Sequence, residues 1–208
     1  MLLTQEFWEK RWHNGSTGWD LGAVSPPLKA YVDQILPENR HLKILIPGCG
    51  NGYEAVYLLQ QGFSNITMLD IAPPAVEQLR LRLDQQVPGW EGRLQLICGD
   101  FFTFSGTFDL ILEQTFFCAL DPALRLNYAL KMRELLAPDG KLAGVLFDRD
   151  FEGGPPFGGH AAGYRALFQP YFKIKTLAPC YNSAKPREGA EVFVIMAASS
   201  SGNEELAQ

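Results

Sequence analysis

Lys43-Ile44-Leu45-Ile46-Pro47-Gly48-Cys49-Gly50-Asn51-Gly52 is followed, eighteen residues past its last glycine, by Asp70 at the end of Ile66-Thr67-Met68-Leu69-Asp70. A short apolar run that ends in closely spaced glycines reads as a buried parallel strand turning tightly into a helix. The glycines give the backbone conformations closed to side chains and let a ligand lie against the main chain. A carboxylate at the tip of the next strand is placed to accept hydrogen bonds from the two hydroxyls of a ribose. Together, Gly48, Gly50, Gly52 and Asp70 point to an adenosine site.

The spacing discriminates between cofactors. A dinucleotide fingerprint calls for its third glycine at position 53, where Tyr53 stands; the third glycine here is Gly52. That disfavours a nicotinamide-dependent oxidoreductase, which remains the weaker alternative beside a binding-only domain that keeps the fold without turnover. Gly-x-Gly-x-Gly resembles the nucleotide loop of class I S-adenosylmethionine-dependent methyltransferases.

With 208 residues, 47% hydrophobic and 20% charged, the chain has the size and composition of one globular domain with a sizeable core. A net charge of −5 argues against a backbone-driven nucleic-acid binder and for a small-molecule partner. Cys49, Cys98, Cys118 and Cys180 are widely spaced, and His13, His41 and His160 are scattered, so no metal site is expected. Reduced cysteines in apolar runs fit a reducing compartment. Without a basic start and apolar core at the amino terminus, or an 18-residue apolar run, the expectation is a cytoplasmic protein with no membrane partner.

The chain opens with Phe7-Trp8-Glu9-Lys10-Arg11-Trp12, and Gly18-Trp19-Asp20 follows. Trp8 and Trp12 share one face of a short helix, with Asn14 to Gly18 as a breaker. Three tryptophans within twelve residues either anchor this arm to the body or supply rigid aromatic walls for a cationic sulfonium or a flat ring. The preferred reading is a lid, spanning residues 1–36, over the cofactor.

Further on, a helix is expected over Pro26 to Leu36, capped by Ser25, with Leu28, Val32, Ile35 and Leu36 on its apolar face. Strands are expected over 43–46, 66–70, 94–98, 108–112 and 141–147, with helices over 53–61, 74–86, 121–136 and 161–168 between them. Phe172 to Leu177 and Glu191 to Ala197 read as a closing antiparallel pair, and residues 199–208 as a disordered tail. The expectation is α/β: a doubly wound, mostly parallel seven-stranded sheet with a final antiparallel strand, in one domain over 1–198. Gly48, Asp70, Asp100 and Gln114 then all fall at carboxyl ends of strands, where such sheets bind ligands.

The details resemble the thiopurine S-methyltransferase family and its thiol- and halide-methylating relatives. The resemblance rests on Phe7 to Trp12 with Gly18-Trp19-Asp20, on Ile46-Pro47-Gly48-Cys49-Gly50, on Phe116-Phe117-Cys118-Ala119, and on Gly153-Gly154-Pro155-Pro156-Phe157. It implies S-adenosylmethionine as cofactor and Trp8, Trp12, Trp19, the glycines, Asp70, Ile71, Asp100, Phe101 and Gln114 as its lining, Asp100 taking the adenine amino group and Phe101 packing on the ring. It implies that Phe117, Pro155, Pro156 and Phe157 border the acceptor, a thiol, thiopurine, halide or thiocyanate. In-line displacement from a sulfonium needs placement above all, so no catalytic base is assigned. Asp20, Asp148 and Arg149 are the candidate polar groups facing the acceptor, with His160 beside the acceptor loop.

Overall fold

The computed structural model describes residues 3–198; the predicted tail, 199–208, lies outside the described residues. Among these residues six α-helices and seven strands follow one another in the order α1 Gln5–His13, α2 Pro26–Val32, β1 Ile44–Pro47, α3 Tyr53–Gln60, β2 Ile66–Asp70, α4 Pro73–Gln86, β3 Leu94–Cys98, β4 Phe108–Gln114, α5 Arg125–Leu135, β5 Leu136–Phe147, α6 Ala161–Phe168, β6 Phe172–Pro179 and β7 Glu191–Ala198. The strands form one sheet in the order β3-β2-β1-β4-β5-β7-β6, with β7 antiparallel to both neighbours and the other pairings parallel.

The continuous apolar runs follow from burial on both faces. In β1, Ile44 and Ile46 point into one layer, with Leu28 and Val32 of α2, Leu58 of α3 and Leu79 and Leu83 of α4. Leu45, between them, points into the other layer, with Tyr128 and Met132 of α5 and Phe168 of α6. The strand order reverses between β1 and β4, and that switch point opens a crevice at the carboxyl ends.

Three expected elements come out differently. Helix α2 stops at Val32, and Leu36 is extended (ψ 148°) and 57% exposed, because a residue preceding proline is pushed out of the α region by Pro37. Ser25 makes no side-chain cap; its N–H donates instead to Glu54 Oε1 at 3.1 Å. Asp121 does cap, accepting from Ala123 N at 2.9 Å, but it caps a 3-10 turn over Pro122–Leu124 that leads into α5. Pro138-Asp139-Gly140 lies inside β5 as an irregularity: Phe108 pairs with Leu136 and Leu110 with Lys141, so the intervening residues bulge out.

Candidate active site

The glycine loop leaves β1 with Gly48, Gly50 and Gly52 at φ +58°, +49° and +61°, the left-handed region that β-carbons disfavour. Space adds to the constraint at two of them: a β-carbon on Gly48 would run into the Phe116 ring, and one on Gly52 into Leu79 of α4. Gly52 thus serves the packing of α3 against α4. At Gly50 the approach is from Trp12, whose Cζ2 lies 3.7 Å from where a β-carbon would sit.

Asp70, at the tip of β2, is 9% exposed and already engaged. Its Oδ2 accepts from Gly50 N at 2.9 Å and its Oδ1 from Ala72 N at 2.9 Å. Burial raises its carboxyl above the ordinary range, against the opposing pull of the backbone bonds from Ala72, Gly50 and Ile71. The carboxylate therefore clamps the glycine loop while also lining the cleft.

That cleft, about 340 Å³, lies at the tips of β1 to β4. Trp8, Trp12 and Trp19 close one side, with Trp19 edge-on to Trp8 (centroids 5.7 Å) and to Trp12 (6.1 Å). Ile71, Asp100 and Phe101 form a second side. Asp100 Oδ1 accepts from Phe102 N at 2.9 Å, an Asx turn that presents Phe101 to the cleft. Phe116, Cys118, Leu120, Leu124, Pro155 and Pro156 form the remainder. A hollow of about 60 Å³ adjoins it under Trp19 and Asp20, and Gln114 faces that hollow with its Oε1 buried and without a hydrogen-bond partner among the described residues.

The arm is tied down at one end. Trp19 O accepts from Arg187 Nη2 at 2.7 Å, and Asp20 Oδ2 accepts from Asn51 Nδ2 at 2.8 Å and from Tyr53 Oη at 3.3 Å. Asp20 is thus a brace between arm and glycine loop, bordering the small hollow and not the main cleft. By contrast, α1 has no fully buried residue.

Other sequence-based assignments also move. Phe117 is 1% exposed and packs on Tyr128, Tyr164 and Phe168 in the core; its neighbour Phe116 reaches the cleft. Phe157 does not line the cleft either: its N–H donates to Cys118 O at 2.7 Å, so its contribution is to anchor the loop that presents Pro155 and Pro156. Asp148 Oδ1 accepts from Ala161 N at 3.1 Å, at the start of α6, and pairs with His160 Nδ1 at 3.3 Å. Arg149 is exposed, over the Phe151 ring. His160 bridges Asp148 and Asp150, which raise its pKa, Asp150 most. None of these three lines the cleft.

Two residues escaped the sequence reading. Asp121 looks like a simple cap, yet it lines the cleft. Glu113 hides in the apolar run of β4; it is fully buried, with Oε1 accepting from Phe116 N at 2.8 Å and Phe117 N at 3.0 Å, and Oε2 from Tyr128 Oη at 2.7 Å. Burial pushes its carboxyl up to about 7, the three hydrogen bonds opposing. A glutamate directly after Leu110-Ile111-Leu112 was the available signal, since a carboxylate buried with such a run needs partners.

Glycine loop, strand-tip carboxylate and switch-point cleft fit the family profile that the sequence matches over residues 3–198, described as thiopurine S-methyltransferase. The chain belongs to the thiopurine S-methyltransferase family. Among its relatives, the probable thiol methyltransferase 2 of Arabidopsis thaliana is 34% identical, the match covering 88% of this chain and 81% of that one. Thiocyanate methyltransferase 1 of Brassica oleracea is 33% identical with the same coverage, and a thiopurine S-methyltransferase of Xanthomonas campestris pv. campestris is 30% identical over 84% and 86%. In fold it is similar to a Burkholderia thailandensis 1,6-didemethyltoxoflavin-N1-methyltransferase solved with its substrate and S-adenosylhomocysteine (TM-score 0.72, 19% identity, 94% of this chain and 86% of that one). This member of the thiopurine S-methyltransferase family is an S-adenosylmethionine-dependent methyltransferase. Among its described residues no helix is long and apolar enough to cross a membrane, and no group of three or more His, Cys, Asp and Glu is placed to hold a metal ion.

Proposed function

We propose that the enzyme methylates the sulfur of a small apolar thiol at the Phe116, Leu120, Leu124, Pro155 and Pro156 side of the cleft. The observation that carries this reading is the lining itself. Those side chains are apolar, and the charged residues of the cleft are the carboxylates Asp70, Asp100 and Asp121. Burying an apolar acceptor body there gains roughly 25 cal/mol per Å², whereas a halide gains nothing from carboxylates. Thiocyanate or halide is the second reading, favoured by the relatives named thiocyanate methyltransferase.

The residues fit the cofactor. The glycine loop offers open backbone, Asp70 has lone pairs toward the cleft for a ribose, and the unpartnered Gln114 Oε1 is an acceptor for the ammonium of its amino-acid end. In this reading Asp100 and Phe101 take the adenine, and Trp8, Trp12 and Trp19 form the lid. S-adenosylmethionine, when bound, supplies an electrophilic methyl group on a good leaving group. The aromatic and apolar walls hold the thiol sulfur on the line of attack and keep water out. A neutral thiol must first lose its proton, and Asp121 is the carboxylate on the acceptor side that can take it. The three buried thiols, Cys49, Cys118 and Cys180, support a reducing, cytoplasmic setting.

Steady-state comparison of an aromatic thiol with iodide and thiocyanate tests the acceptor. A higher kcat/KM for the thiol is expected; a preference for either ion would transfer the assignment to the second reading.

A further inference from the structure

We infer that Glu113 is a positioning residue: its carboxylate, bonded to the amides of Phe116 and Phe117, sets the loop that walls the acceptor side of the cleft. A fully buried carboxylate is costly unless its oxygens are satisfied, and the partners of this one are two loop amides and the Tyr128 hydroxyl. The sheet makes room for it at Gly144 of β5, where a β-carbon would collide with the Glu113 backbone and side chain.

The loop it holds is strained. Thr115 sits at φ +59°, a conformation that a β-branched residue adopts only when its surroundings enforce it. Two backbone N–H groups immediately after Thr115 donate to one carboxylate oxygen and provide that enforcement. Their effect reaches the cleft along two routes. Phe116 is brought over Gly48, edge-on to Phe101 with ring centroids 5.0 Å apart, while Phe117 is turned into the core. Cys118 O, on the same loop, accepts from Phe157 N at 2.7 Å and so fixes the segment carrying Pro155 and Pro156. One carboxylate therefore holds both loops that border the acceptor.

The cofactor side has bonds of its own, from Gly50 to Asp70 and from Asn51 to Asp20. Loss of Glu113 should thus be felt by the acceptor more than by the cofactor, a split that general loss of structure would not give. The inference rests on the methyl-transfer reading only for its kinetic test.

The experiment compares Glu113→Gln with Glu113→Leu in the full chain. Glutamine keeps an oxygen that accepts both amides; leucine fills similar volume and leaves both amides unpaired. For Glu113→Leu the acceptor KM should rise about tenfold or more, S-adenosylhomocysteine affinity should stay within about twofold, and hydrogen exchange at the Phe116 and Phe117 amides should accelerate. Glu113→Gln should restore wild-type behaviour in all three. A leucine variant indistinguishable from wild type, a glutamine variant as impaired as leucine, or cofactor affinity falling as far as the acceptor KM rises would each overturn the inference. If the leucine variant does not fold, Tyr128→Phe serves instead, freeing one carboxylate oxygen; a smaller rise in acceptor KM supports the inference and no rise overturns it. A wild-type enzyme that transfers no methyl group to any acceptor would defeat the proposed function, while the exchange measurements would still decide the role of Glu113.

Discussion

The backbone N–H of Gly50 donates to Asp70 Oδ2 at 2.9 Å, so the strand-tip carboxylate suited to a ribose also clamps the loop beneath it. Asp70→Ala should weaken S-adenosylhomocysteine binding by about 1.5–3 kcal/mol, the range for hydrogen bonds to a charged group, and the loop should loosen as well. Asp70→Asn should fare little better, because its NH₂ must face either the Gly50 or the Ala72 amide. Calorimetry with both variants checks this, and unchanged affinity would place the ribose elsewhere.

Gly50→Val puts a branched side chain at φ +49°, directed at Trp12. Binding of S-adenosylhomocysteine should be abolished while the circular dichroism spectrum stays that of a folded protein, since β1 and α3 keep their apolar contacts.

Glu113 gives a pH dependence of stability with a definite sign. Its folded-state pKa is raised by burial from 4.5 to about 7, so the folded protein holds the proton more tightly than the unfolded chain. The resulting stabilisation is complete below the unfolded value and is lost as pH rises through the folded one. The loss should be on the order of 3 kcal/mol by pH values above about 8. Asp70 and Glu54, also raised by burial, act in the same direction. Denaturant titrations of wild type and Glu113→Gln across this window isolate the Glu113 share: the difference between them should grow with pH in favour of the glutamine variant.

Arg187 ties the arm at Trp19 and lies 3.4 Å from Glu191, both side chains buried. Arg187→Met should cost about 3–5 kcal/mol of stability, because Glu191 is left buried without its partner. Deleting residues 3–13 should cost turnover far more than stability, since α1 buries no residue fully while Trp8 and Trp12 line the cleft. Thermal melts and turnover of the two variants separate the anchored part of the arm from the part that acts as lid.

Much of this was legible in the sequence because strand periodicity and glycine spacing report backbone requirements. The ranges of β2, β3 and α6 follow directly from apolar runs and their flanking residues. Side-chain direction at strand tips is different. Phe116 and Phe117 are adjacent and chemically identical, and which one reaches the cleft is decided by the left-handed turn at Thr115 and by Glu113 behind it. Asp20 belongs to the arm, and Asp148 and Arg149 follow the end of β5; Asp20 braces Asn51, Asp148 starts α6 and Arg149 lies at the surface, roles set by partners distant in sequence or by the course of the loop. Asp121 caps the 3-10 turn that precedes α5, and its place in the cleft depends on where α5 packs.

The most direct test of methyl transfer to sulfur is incubation of the enzyme with methyl-labelled S-adenosylmethionine and an aromatic thiol, followed by identification of the labelled product. Label is expected in the thioether, formed in equal amount to S-adenosylhomocysteine and abolished by Gly50→Val. Label that stays on the cofactor with every thiol offered, while S-adenosylhomocysteine still binds, would contradict it.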